Sequence, residues 1–259
     1  MAEAILRDIY RYPVKGLSPQ VLARTTLAPG RTITADRLYA IENGAIGFDP
    51  ANPVHFPKQR FLMLMRNERL AALHTDYDEE SHTLTVEKDG AEVARGDLRT
   101  PEGRGTIEAF FAGYCADELR GPPKVLSGEG AAGGAFSFSD VAKKVVSIIN
   151  LASVAEVETL TGAAVDPLRF RGNLYVSGWP AWHEFDLLDQ ELTVGHDVRL
   201  KVVKRIMRCA ATNVDPATGI RDLTIPKTLQ QNLGHADCGI YAEVIKGGEI
   251  KPGDTVAVA

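Results

Sequence analysis

Cysteine is scarce in this 259-residue chain: Cys115, Cys209 and Cys238 are the only three, and no two form a CxxC pair. An odd, sparse set does not build a disulfide framework and points to a reducing cytoplasmic setting. Histidine supplies no metal motif, because His55, His74, His82, His183, His196 and His235 lack HxH or HExxH spacing. Long hydrophobic runs are also missing. No stretch approaches the roughly 20 apolar residues that span a bilayer, and Met1 to Tyr10 has no signal-peptide core. Basic charge is not in excess: 29 Lys and Arg against 34 Asp and Glu give −5. That balance argues against nucleic acid or an anionic membrane as partner. There is no P-loop, no GxGxxG after a strand and no serine nucleophile elbow. A zinc hydrolase, a nucleotide phosphotransferase and an ordinary dehydrogenase therefore lose support.

What the chain does have is an ordinary soluble composition, 44% hydrophobic and 24% charged. A core can form from it without metal or disulfides. Glycine and proline punctuate many short apolar runs, which read as strands. Strands are expected over Ala4–Tyr12, Val21–Leu27, Arg37–Glu42 and the hairpin Thr83–Lys88/Ala91–Arg95 around Asp89-Gly90. Arg60–Arg66 is apolar and ambiguous between strand and helix. A polar, Gly-rich stretch at 96–105 suggests a boundary between a β-rich unit at 1–100 and a second unit at 101–259. A helix capped by Thr106 follows, with Ile107, Phe110, Phe111, Tyr114 and Leu119 on one stripe. Residues 127–139 read as a mobile Gly/Ala/Ser loop. Further strands are expected at Val145–Ile149, Asn173–Val176, Glu191–Val194, Val198–Arg208, Ile240–Ile245 and Thr255–Val258. Ser153 and Glu156 have capping-box spacing for a helix ending at Gly162. Pro226–Asn232 reads as a short third helix. The fold class is mainly β with a few helices (α+β), and a closed or half-closed barrel is the economical architecture because closure removes exposed edges.

Three constellations could carry chemistry. In KVVKRIMRCAATNVDPAT, at 201–218, a strand runs into a loop at Cys209. Lys204, Arg205 and Arg208 precede that cysteine, and cations favour a thiolate, which attacks electrophiles or binds soft metals. The residues alone read equally as one more buried, inert cysteine. Cys115 and Cys238 read as packing residues. Arg169 and Arg171 point the same way if the backbone is extended, and Asn173 offers donor and acceptor. Lys15 follows Pro13 and precedes Gly16, with Asp36-Arg37 further on, which suits an anion-binding loop. Each could equally be a solvated surface feature.

These motifs, in this order, resemble the MOSC family, named for the C-terminal domain of molybdenum-cofactor sulfurase. YPVKG at 12–16, DRLY at 36–39, RFRGN at 169–173, WHEFD at 182–186, RCAATNVDPATG at 208–219 and GGEIKPGDTVAV at 247–258 carry the likeness. Gly16 stands where the family usually has Ser, and Gly172 where it has Pro. The subgroup most similar is the amidoxime-reducing component and its bacterial relatives. The resemblance implies a MOSC β-barrel preceded by a smaller β-rich N-terminal domain. It implies a molybdenum cofactor (molybdopterin) with Cys209 as metal ligand and catalytic residue. Contacts to the pterin or its phosphate fall on Lys15, Arg37, Arg171, Asn173 and Arg208, with Asn150 as a further candidate. The implied activity is reduction of N-hydroxylated small molecules, with electrons from an external donor protein, ferredoxin- or flavin-reductase-like. The alternative is a carrier that binds the cofactor, or a persulfide on Cys209, without turnover.

Overall fold

The computed structural model describes residues 3–131 and 136–259. Its strands and helices are, in chain order, β1 (Ala4–Arg11), β2 (Gln20–Val21), β3 (Thr25–Leu27), β4 (Tyr39–Asn43), β5 (Leu73–Asp78), β6 (Thr83–Lys88), β7 (Ala91–Asp97), α1 (Pro101–Tyr114), β8 (Pro123–Ser127), β9 (Val146–Asn150), α2 (Leu151–Thr161), β10 (Leu174–Ser177), β11 (Glu191–Val194), β12 (Val198–Met207), α3 (Ile225–Leu233), β13 (Asp237–Lys246), β14 (Gly248–Ile250) and β15 (Thr255–Val258).

Seven strands close a barrel in the order β10-β9-β13-β12-β11-β15-β1, and β1 pairs back onto β10. Alternation fills it. Val198, Leu200 and Val202 of β12 point inward, as do Leu6 and Ile9 of β1 and Ile240, Ala242 and Val244 of β13. The mainly β, α+β expectation is met, and closure leaves no barrel edge among these strands. The β12–β13 ladder shifts register three times, the last between Arg205 and Met207. Such bulges bend a strand and re-aim the residues beyond them. Here the re-aimed chain leads directly to Cys209. Outside the barrel wall, α2 and α3 pack through Val154, Val157, Ile225 and Leu229 onto Ile149, Phe170 and Tyr175.

A second core gathers β4, the β5-β6-β7 sheet, α1 and β8 around Tyr39, Leu73, Leu84, Phe111 and Val125. It runs continuously from Val14 through Val125, across the glycine-rich stretch at 96–105. That stretch is the end of β7 and the start of α1. The helix is capped by Thr100, whose Oγ1 accepts from Gly103 N at 3.0 Å, not by Thr106. Pro101 at the first helical position favours this earlier start. Gly103 is required by packing: a Cβ there would meet Asp97 O at 2.2 Å.

Other boundaries also move. Val21–Leu27 is two strands, because β2 pairs with β1 whereas β3 pairs with β14. Arg37 lies outside β4 with φ +52. Residues 60–66 form neither a strand nor an α-helix, only a 3-10 turn at Lys58–Arg60 and an isolated bridge from Phe61 to Glu42. α2 begins at Leu151 under an Asn150 cap, two residues before Ser153. Within the loop expected at 127–139, residues 132–135 lie outside the described residues. Its flanks are pinned by Gly128 N to Leu38 O and Phe138 N to Arg37 O, both 2.7 Å.

Candidate functional site

One cleft collects most of the residues singled out by sequence. Lys15, Arg37, Arg171, Asn173, Arg208 and Cys209 all line an open space of about 970 Å³, its mouth included. They come from both cores: Lys15 from the turn after β1, Arg37 from the turn before β4, Arg171 and Asn173 from the approach to β10, and Cys209 from the end of β12.

Cys209 is the one half-buried thiol of the three. Its carbonyl accepts from Thr212 N and Oγ1, both at 3.0 Å, which starts a 3-10 turn at Ala210–Asn213. Burial pushes the Cys115 and Cys238 thiols up to about 12, so both pack as inert side chains. The cation at the Cys209 sulfur is not one of the expected strand residues. Lys58 Nζ, from the 3-10 turn of the N-terminal core, lies 3.2 Å from Cys209 Sγ. Lys204 is exposed on β12, and Arg205 stacks on the Phe185 ring at 4.3 Å.

Lys58 also reaches Asp140 Oδ2 at 3.3 Å, and Lys15 Nζ binds Asp140 Oδ1 and, at 2.9 Å, Phe138 O. Burial lowers the Lys15 ammonium's pKa, and Asp140 opposes that shift. Asp140 itself is held well below the usual carboxylate range; burial would raise it, but Lys15 and Lys58 outweigh burial. For Lys58, burial alone would lower the pKa, and Asp140 and Cys209 raise it.

Arg37 and Arg171 flank one aromatic ring. Their guanidinium carbons lie 4.4 and 4.2 Å from the centroid of the fully buried Tyr12. Arg37 Nη1 donates to both Asp36 carboxylate oxygens, at 2.7 and 2.6 Å, and Nη2 donates to Arg171 O at 3.0 Å. Arg171 donates to Leu17 O at 2.8 Å. Both arginines have positive φ, +52 and +50, a strained conformation of the kind found at ligand sites. The glycine departures have local causes. Gly16 has φ +86, and a Cβ there would meet Leu62 O at 2.9 Å; at Gly172 a Cβ would meet Ile149 Cγ1 at 2.2 Å.

Other expected residues do different work. Arg169 does not act as the twin of Arg171, because Pro167–Phe170 is a 3-10 turn rather than extended chain. It is buried and pairs with Asp222 at 2.8 and 2.7 Å and with Asp215 at 3.1 Å, tying down the VDPATG loop. Arg208 donates to Cys238 O at 2.7 Å and Phe170 O at 2.8 Å. Asn173 accepts from Ser147 and donates to Tyr10 O, joining β9 to β1 across β10. Asn150 is outside the cleft lining. Fully buried, it caps α2 and donates to Pro180 O and to the buried Glu184. Ser153, also expected as a cap, binds that same Glu184 carboxylate at 2.8 Å.

The motif reading missed Tyr12, Lys58, Asp140 and Tyr241 as lining or supporting groups of the cleft. Tyr12 was within a quoted motif. Lys58 and Asp140 carry no local signal, since their partners lie 151 and 125 residues away in sequence. Among the described residues, no three His, Cys, Asp or Glu side chains form a metal-binding group. The cations around Lys15 and Arg171 give the cleft a wall complementary to an anion.

The fold and cleft define a β-barrel protein with one accessible thiol at the mouth of a cation-lined pocket. Residues 132–257, just under half of the chain, match the MOSC domain. The curated relatives it matches include mitochondrial amidoxime reducing component 2 from Bos taurus and from Rattus norvegicus. Each is 34% identical over 123 residues, covering 43% of this chain and 36% of the relative. The match thus spans just over a third of those relatives' length. Among solved structures, YiiM from Geobacillus stearothermophilus aligns at TM-score 0.35 and 20% identity, over 44% of this chain and 53% of that one. The YUAD protein from Bacillus subtilis aligns at TM-score 0.44 and 12% identity, over 99% and 97%. No described helix is long and apolar enough to cross a membrane.

Proposed function

We propose that this chain binds a molybdenum–pterin cofactor in the cleft, with the Cys209 sulfur as the protein's metal ligand, and reduces N-hydroxylated small molecules. The observation that carries this is the position of the one accessible thiol, at the mouth of a pocket walled by Lys15, Arg37, Lys58 and Arg171. The names of the two amidoxime-reducing relatives support the reaction class. When bound, the cofactor supplies two-electron redox chemistry. The chain's own residues bind, orient and screen. Lys15, Arg37 and Arg171 offset the charge of a phosphate, and Lys58 holds a positive charge against the sulfur. Asn173 and Arg208 fix the barrel wall behind them. In net terms, an N–OH group takes two electrons and two protons and leaves as N–H and water. The electrons come from a separate ferredoxin- or flavin-reductase-like protein, in a reducing, cytoplasmic setting.

The test is metal content after expression in a cofactor-producing host. About one molybdenum per chain is expected in the wild type, and none in Cys209→Ala. Equal metal in both would refute the ligand assignment. Repeated turnover with a viologen donor separates an enzyme from a carrier, which releases its cargo once.

A further inference from the structure

Two carboxylates face the cations of the cleft, and they are held differently. Asp36 is buried; besides its pair with Arg37, it accepts from Tyr12 N at 2.9 Å. That second anchor locks it to the backbone. Asp140 has no such anchor. Its two oxygens bind the Lys15 and Lys58 ammoniums and no described backbone donor. Its side chain is 45% exposed, against 7% for Lys15 and 26% for Lys58. The carboxylate thus borders water, whereas both cations are more deeply buried.

We propose that Asp140 is an internal substitute for the ligand's oxoanion: a phosphate-class group binds by displacing the Asp140 carboxylate from Lys15 and Lys58. The inference rests on the anion-binding reading of the cleft and adds how that subsite is kept before loading. A buried ammonium without a counter-charge is costly. Asp140 supplies that charge in the unloaded protein, and an incoming phosphate takes it over. The exchange keeps an anion against both lysines throughout, so binding leaves neither ammonium without a counter-charge. It also sets selectivity, since a neutral or weakly acidic group cannot displace a carboxylate already held by two ammoniums. Because Lys58 touches Cys209 Sγ, the displaced position lies beside the thiol. The ligand chemistry is a tetrahedral oxoanion, either a free anion or the terminal phosphate of a larger molecule.

The test uses cofactor-free full-length protein and calorimetric titration with inorganic phosphate and, separately, glycerol 3-phosphate. Asp140→Asn keeps the size of the side chain and removes the competing charge. It is expected to bind on the order of tenfold more tightly than wild type, while Lys15→Met loses binding. Tightening toward glycerol 3-phosphate assigns the subsite to a terminal phosphate, and tightening toward inorganic phosphate alone assigns it to a free anion. Unchanged or weaker binding of both anions by Asp140→Asn overturns the proposal. A second measurement needs no variant. In wild-type protein with 15N-labelled lysine, phosphate should shift the Lys15 and Lys58 ammonium signals together; no movement at saturation also overturns it. Molybdenum loading without displacement would refute this inference and spare the cofactor reading. Displacement without molybdenum would do the reverse.

Discussion

Gly16 shows how a single position constrains the cleft. The family usually has Ser where this chain has Gly, and a hydroxyl there would suit a phosphate. Here the backbone sits at φ +86, and a Cβ would come within 2.9 Å of Leu62 O. Both effects oppose any side chain, and the blocking atom is backbone, which cannot rotate away. Gly16→Ser is therefore expected to lose roughly 1–3 kcal/mol of stability, measured by urea denaturation, rather than gain a better anion site. A variant as stable as wild type would mean that the cleft wall yields. Several single residues were legible in the sequence: Lys15, Arg37, Arg171 and Cys209 converge on one cleft. Their partners were not. That Asp36 would be locked by Tyr12 N, or that Lys58 would meet the Cys209 sulfur, depends on chain paths that no local pattern encodes.

The VDPATG loop is an element built around one carboxylate. Asp215 Oδ1 accepts from Ala217 N, Thr218 N and Thr218 Oγ1 at 2.8–3.0 Å, and Oδ2 accepts from the buried Arg169. Its pKa is lowered: burial opposes the shift, and the Thr218, Ala217 and Arg169 contacts exceed it. A depressed folded-state pKa means stability that is present above the unfolded value, about 4, and is lost as pH falls through the folded value. Thermal melts of wild type and Asp215→Asn should differ near neutrality and converge below about pH 4. A gap that stays constant with pH would show that the carboxylate's charge is not what the loop uses. Turns of this kind were readable because their chemistry is local. Asp89-Gly90 gave its hairpin correctly, with φ +54 and +78. Caps were harder. Thr100 and Thr106 both precede apolar residues, and Pro101 together with the close approach of Gly96 to Gly103 favours the earlier start. Ser153 matched a capping box, yet its hydroxyl is taken by Glu184, a partner 31 residues away.

At the scale of the molecule, the barrel and the cleft both depend on chain outside the matched MOSC segment. β1 is the seventh strand and lies between β15 and β10, pairing Ala4 with Val256 and Ile9 with Leu174. A segment of residues 132–257 would leave β10 and β15 as open edges, and Leu6 and Ile9 would be missing from the core. Lys15, Arg37 and Lys58 would be absent as well. These two losses can be measured separately. Alone, the segment is expected to give poorly dispersed amide spectra and concentration-dependent aggregation. Adding a peptide of residues 3–12 should restore dispersion by refilling the seam, because the β1 ladder to β10 is antiparallel and register-fixed by its inward Leu6 and Ile9. It should not restore phosphate binding, because the peptide ends before Lys15. A well-dispersed spectrum from the bare segment would show that the six remaining strands reach a stable packing without β1. Phosphate binding by the peptide-complemented segment would show that the cleft's anion affinity resides in Arg171 and Arg208 rather than in the cations of the N-terminal half.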